Sequence, residues 1–353
     1  MELLLLLLVP VVLGLIAMSV SGGKITWKEF VLQETVLVVL ITIAFFGSAL
    51  ARTADKEIWS GRIELKEKVK TSCCHSYSCN CQEVCNGSGN DRSCSTVCDT
   101  CYMHSHDYSY IAKTTNGETA YDNSCNSPSS SEPERYSQIV IGEPTAIEHS
   151  YTNYIKGNPD TILRRTSIDK EFAIPKYPRT YDLYRANRFI LVGSGNSAQQ
   201  WEEKLYSLNS DLGAKKQVNI IVVAVYEEDQ LYFEKLKQEW LGGKKNDFIV
   251  VIGLRNTDDP EIIWANVMSW SDSEECKVLV KNRVIELRRF DGYKIIDIIG
   301  EEVESKYIRK EMKDFEYLKA RIEPTGTVKI LIFIIGTIAS IALSLLFNKE
   351  EIL

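Results

Sequence analysis

Histidine is scarce in this chain, with 4 in 353 residues, and His75, His104 and His106 all fall inside one cysteine-rich stretch. Histidine is the commonest general base near neutral pH, so few candidates for that chemistry exist. An excess of positive charge is also missing: 41 Lys and Arg face 48 Asp and Glu, for a net charge of −7. That balance argues against a nucleic-acid partner. Gly193-Ser-Gly195 lacks the glycine spacing of a nucleophile elbow. Gly242-Gly-Lys-Lys lacks the first glycine and the trailing Ser/Thr of a P-loop, and reads as a helix stop with solvated lysines. No internal repeat is present, and no charged n-region precedes the first leucines, which sets the N-terminus apart from an ordinary signal peptide.

What the chain does have is long apolar runs. Leu3 to Val20 carries no charge, Val31 to Ala51 is interrupted only by Gln33 and Glu34, and Val328 to Phe347 has Lys329 at its edge. Each is long enough to cross a bilayer core as a helix. The expected layout is a transmembrane hairpin in 1–51, with spans over 3–20 and 31–51, and a third span over 327–347. Three spans place the N-terminus and the large polar body on one side.

Orientation follows the Lys/Arg bias near span ends. Arg52, Lys56, Arg62, Lys66, Lys68 and Lys70 follow the second span, and Arg309, Lys310, Lys313, Lys319, Arg321 and Lys329 lead to the third. The other face offers Lys24, Lys28 and Lys349. This bias places the large domain in the cytoplasm.

The polar body divides by composition. Residues 52–135 form a cysteine-rich module, with a hairpin over Tyr108–Tyr121 turning at Asn116-Gly117. The Ser- and Pro-rich stretch 126–133 reads as a linker. Residues 136–323 read as an α/β domain. Trp201, Leu205, Leu208 and Leu212 share a helical face, and Val218–Val225 is a β-branched run suited to a strand covered on both sides. Phe233, Leu236 and Trp240 mark a second helix, Phe248–Leu254 a second strand and Ile262–Trp270 a third. Val303, Tyr307, Phe315 and Leu318 point to one long last helix. Strands alternating with helices imply an α/β sandwich.

Eight of the 10 cysteines lie between Cys73 and Cys101. Cys-x2-Cys turns bring two thiolates onto one ion, and zinc takes four N/S ligands. The expected structural zinc site uses Cys79, Cys81, Cys98 and Cys101, with His75 and His104 as competing ligands. The rival is a disulfide framework, which needs an oxidising compartment. Topology decides between them: a cytoplasmic domain implies reduced thiols and metal, an outward domain implies disulfides. Either way a segment so poor in apolar residues needs a staple.

Two resemblances follow from particular motifs. Leu208-Asn-Ser-Asp-Leu-Gly213, the strand Val218–Val225, Trp240-Leu-Gly-Gly-Lys-Lys-Asn-Asp247 and the strand from Phe248 make residues 198–290 similar to the TPM domain, a membrane-attached α/β family. The resemblance implies a TPM-like sandwich beside a C-terminal span. It also implies calcium or another divalent ion, or phosphatase chemistry, at strand-end acids; here these are Asp247, Asp258 and Asp259. The family's Gly-x-Gly-x-Glu segment is absent, and Ile262–Trp270 stands in its place.

Second, His75-Ser-Tyr-Ser-Cys-Asn-Cys81 with Cys98-Asp-Thr-Cys-Tyr-Met-His104 resembles uncharacterised membrane proteins of tailed bacteriophages, which implies a host bacterial inner membrane. The expectation is therefore a membrane-anchored, non-enzymatic binding or scaffold protein with the lipid bilayer and an unknown protein as partners. The alternatives are a TPM-type metal-dependent hydrolase and a membrane-remodelling or lysis factor.

Overall fold

The computed structural model describes residues 2–86, 93–115, 119–123, 132–158, 168–181, 185–193 and 198–349. The first span is helix α1, Glu2–Val20, and the second is α2, Trp27–Ala51. α2 begins four residues before its apolar run because a capping box starts it there. Thr26 Oγ1 accepts from the Glu29 backbone N–H at 3.3 Å, and Glu29 Oε2 accepts from the Thr26 N–H at 2.8 Å. These reciprocal bonds satisfy backbone donors that the first turn leaves open.

Strand β1, Ala54–Thr71, starts three residues after α2 and runs for 18 residues. It is followed by β2, Ser76–Asn86; β3, Ser93–Tyr102; β4, Asp107–Thr114; β5, Thr119–Asn123; and β6, Pro144–Thr152. β1 is shared between two partners: Ala54–Arg62 pairs antiparallel with β6, and Ile63–Thr71 pairs antiparallel with β4. The sheet order is β5-β4-β1-β6, so it draws strands from both sides of residue 135. β2 and β3 pair only with each other and form a separate hairpin. β4 and β5 pair antiparallel as expected. Their Asn116-Gly117 turn and the linker over 126–131 lie outside the described residues.

The α/β part holds β7, Phe189–Val192; helix α3, Gln199–Lys216; β8, Asn219–Val225; α4, Leu231–Glu239; β9, Asp247–Arg255; β10, Glu261–Met268; α5, Glu274–Glu286; and α6, Gly292–Lys306. The sheet order is β10-β9-β8-β7, with β7, β8 and β9 parallel and β10 antiparallel to β9. Every residue of β8 is buried, and so is every residue of β9 except Arg255. Alternation sends Ile220, Val222 and Ala224 toward Leu205, Val280 and Ile299, while Ile221, Val223 and Val225 meet Tyr232, Leu236 and Trp240. Helices cover both faces, which is why these strands read as continuous apolar runs. Gly253 lets the Trp264 indole of the neighbouring strand lie flat against β9; a Cβ there would overlap the ring.

The expected long last helix stops at Lys306. Ile295, Ile296, Ile299 and Val303 give α6 a buried face. The later turn, Met312–Arg321, is a 3₁₀ helix with no buried residue to prolong it as α.

The two sheets are joined where α3 packs on β1. Gly213 lies against the backbone carbonyl of Ser60, and Arg62 bonds Asp211 at 2.8 Å. Arg188, fully buried, bridges the same seam through Ser60 Oγ at 2.5 Å and Asn219 Oδ1 at 3.1 Å.

The last helix, α7, spans Gly326–Lys349. α1, α2 and α7 are long and apolar enough to cross a membrane. They pack together through Ile41, Phe45 and Ile332 with Leu3, Leu6, Leu7 and Val328. At the end nearest the large domain, Lys329 pairs with Glu2 and with Glu323, and Arg52 donates to the Glu323 carbonyl. All three helix ends therefore meet on the domain's side.

Candidate metal centre

β1 ends at Thr71, and Cys73, Cys74 and His75 carry the chain into β2. β3 ends at Tyr102, and Met103 to His106 carry it into β4. Register brings the two connections together, because Thr71 lies opposite Asp107 at the open end of the β1–β4 pair. The base of the hairpin thus gathers Cys73, His75, His104 and Asp107, whose donor atoms all lie within 4.8 Å of one another.

Each group is held in place. Asp107 is fully buried, and its Oδ2 accepts the Cys74 backbone N–H at 2.8 Å. The Nδ1 of His104 lies 3.0 Å from the His106 carbonyl oxygen. A carbonyl only accepts, so this nitrogen carries a proton, and in the neutral ring Nε2 is then the nitrogen with the lone pair. That is how a backbone carbonyl fixes the tautomer of a metal-binding histidine. The His104 Nε2 lies 3.5 Å from Asp107 Oδ1, and His75 Nδ1 lies 3.4 Å from Asp107 Oδ2. The two imidazoles meet edge to face with ring centres 5.1 Å apart. Cys73 is buried and is a free thiol.

These spacings are informative. They exceed the ~3.2 Å limit of an ordinary N–H···O bond. Two ligands each about 2.0–2.1 Å from a tetrahedral ion stand about 3.3–3.4 Å apart. The two distances run to different oxygens of Asp107, and one sulfur, two nitrogens and one carboxylate oxygen, all within 4.8 Å of one another, could hold a metal ion.

The hairpin itself is closed covalently. Cys79 bonds Cys101, Cys81 bonds Cys98 and Cys85 bonds Cys94. Cys74 is disulfide-bonded as well. The expected zinc tetrad of Cys79, Cys81, Cys98 and Cys101 is thus two disulfides here, and a disulfide sulfur offers no thiolate to an ion. Its two competing ligands, His75 and His104, do come together, with Cys73 and Asp107 in place of the four cysteines. The spacings Cys73-x-His75 and His104-x2-Asp107 were the available signal, and the cysteine pairs beside them obscured it. Cys276 lies on the buried face of α5, and burial pushes its thiol up to about 11 and leaves it a packing residue.

The three acids of the alternative site are not brought together. Asp247 opens β9, whereas Asp258 and Asp259 follow its far end, about 26 Å away at ~3.3 Å per residue. Asp247 is fully buried and accepts from Tyr177 Oη at 2.8 Å, Asn219 Nδ2 at 2.9 Å and the Lys244 N–H at 2.6 Å. Burial pushes its carboxyl up to about 6 against those bonds. It pins the turn that enters the strand, and Asp259 pairs with Arg289.

A cleft of about 890 Å³ opens between the start of β1, β6 and the turn after α4. Lys56, Lys156, Arg179 and Lys244 share its walls with Asp55, Glu57, Glu148 and Glu239, and no lining residue is His or Cys. No protein-family model matches the chain, and neither a curated protein nor a solved structure does.

Proposed function

We propose that this chain is a membrane-anchored binding scaffold that presents a disulfide-closed hairpin, with a structural zinc ion clamping the hairpin's base to the sheet. The observation that carries the reading is the meeting of Cys73, His75, His104 and Asp107 at the junction of β1, β2, β3 and β4. Four protein ligands complete a tetrahedron and leave no open position for substrate, which favours bracing over catalysis. A thiol kept free and buried beside seven disulfide-bonded cysteines is what a metal ligand requires. The disulfides also favour a domain facing an oxidising compartment, such as a bacterial periplasm. That orientation opposes the one expected from the Lys/Arg bias.

The test is metal analysis of the full-length protein purified in detergent. The expected result is one zinc per chain, lost in Cys73→Ser and in Asp107→Asn while the disulfides remain intact by non-reducing peptide mapping. Metal-free wild-type protein, or zinc retained in both variants, would overturn the site. Thiol labelling of intact cells tests the orientation separately. Hairpin cysteines should label from outside and only after reduction. Labelling without reduction, and only after permeabilisation, would return the domain to the cytoplasm.

A further inference from the structure

The metal centre leaves unused a second polar group, which lies inside the membrane bundle. Glu34 sits in the second turn of α2, about 10 Å along the helix from Trp27, at the end remote from the large domain, at ~1.5 Å per residue. It is only 9 % exposed, and neither carboxylate oxygen has a hydrogen-bond partner. Its position is shaped by the facing helix. A Cβ on Gly14 of α1 would lie 2.5 Å from Glu34 Oε1 and 2.8 Å from the Phe30 ring, so the glycine makes the space that the carboxyl fills.

The neighbouring polar side chains are occupied elsewhere. Gln33 points to α7 and donates to Ser340 Oγ at 3.3 Å and Ser344 Oγ at 3.1 Å. The ionisable groups of the packed helices stand at their ends: Glu2 on α1, Lys329 and Lys349 on α7, and Lys28 and Glu29 one to two turns away on α2 itself. Among the described residues no cation pairs with Glu34, Lys24 in the α1–α2 connection included.

We infer that Glu34 is a proton-binding site within the membrane, seated against Gly14 at the α1–α2 contact. An unpaired carboxylate in hydrocarbon is costly, and intramembrane acids are rare and bear function for that reason. A hard metal ion needs several oxygen ligands, and Gly14 and Phe30, which share this contact with Glu34, carry no side-chain oxygen. A proton needs no such shell. Ionisation drives the carboxylate toward the remote interface and unpacks α2 from Gly14, so proton binding and helix packing are linked. This function is independent of the zinc reading and concerns a different part of the chain.

The experiment uses the full-length protein in phosphatidylcholine nanodiscs with dicyclohexylcarbodiimide, mapping adducts by peptide mass spectrometry. The protonated carboxyl adds across a C=N bond: a C–O bond forms and the acid's proton passes to the carbodiimide nitrogen. The expected result is an adduct on Glu34 about tenfold above that on exposed Glu2, decreasing from about pH 6 to about pH 9 and absent from Glu34→Gln. Failure of Glu34→Gln to assemble does not blunt the test, since the wild-type adduct is either on Glu34 or elsewhere. No adduct on Glu34, or one insensitive to pH, overturns the proposal. Protection by sodium at fixed pH overturns it in favour of a metal cation.

Discussion

The β2–β3 hairpin and the β8–β9 core of the α/β sheet are both built from paired strands, yet they are stabilised by opposite means. No residue of β2 is buried; it carries three half-cystines among polar residues, and its apolar Tyr77 and Val84 are exposed. β8 has no exposed residue at all. Each fully buried Val, Ile or Leu of the core contributes about 1.5–3 kcal/mol. The hairpin has no such source and relies on cross-links, worth about 2–4 kcal/mol each. The hairpin's order therefore depends on the redox state of its surroundings, while the core's depends on packing.

The strongest way to break the contrast is to remove the cross-links. Reduction together with chelation should abolish amide-exchange protection across 76–102 and leave that of 219–225 and 247–254 unchanged. If both regions lose protection together, the two halves are one cooperative unit. The converse perturbation is Leu205→Ala, a fully buried side chain under β8. It should lower core stability by about 2–5 kcal/mol in denaturant unfolding while the hairpin disulfides stay intact.

Acid titration gives a third handle, because the described carboxyls of β2 and β3, Glu83 and Asp99, are exposed where Asp247 is buried. Its carboxyl rises from an ordinary 3.8 to about 6 on folding, so the folded state binds more protons than the unfolded between those values. Stability of the α/β half should then fall by about 3 kcal/mol as pH rises through that window and stay lower above it. Asp247→Asn should flatten the profile. A smaller effect is expected from Gly253→Ala, whose methyl meets the Trp264 ring: a loss of about 1–3 kcal/mol, seen as a lower denaturation midpoint. Smallest is Lys215→Ala, which breaks an exposed pair with Glu304 and should cost less than about 1 kcal/mol.

The same division explains what could be read from sequence. The strands at 218–225 and 248–254 and the three spans were legible because apolar burial leaves a compositional trace at each position. β1 left none: its residues alternate charge and apolar character irregularly, since its two halves sit in different surroundings and change partner at Ile63. The last helix was overextended because Tyr307 and Phe315 keep the apolar spacing of Val303. Tyr307 does pack on the core, but as the extended residue that follows the helix. Of the four residues that could hold a metal ion, His75 and His104 stood out in the sequence. Asp107 did not, because its place depends on pairing opposite Thr71, a contact 36 positions away in the chain.

β1 also has a mechanical consequence. At ~3.3 Å per residue its 18 residues span about 60 Å, beginning three residues after a membrane helix and ending two residues before the metal group. It joins the second apolar helix to the hairpin in a single strand, with a register break between Ile63 and Leu65 where it changes partner. A load on the hairpin thus passes along one backbone to α2, the helix that carries Glu34, and is shared on the way with β4, β6 and α3.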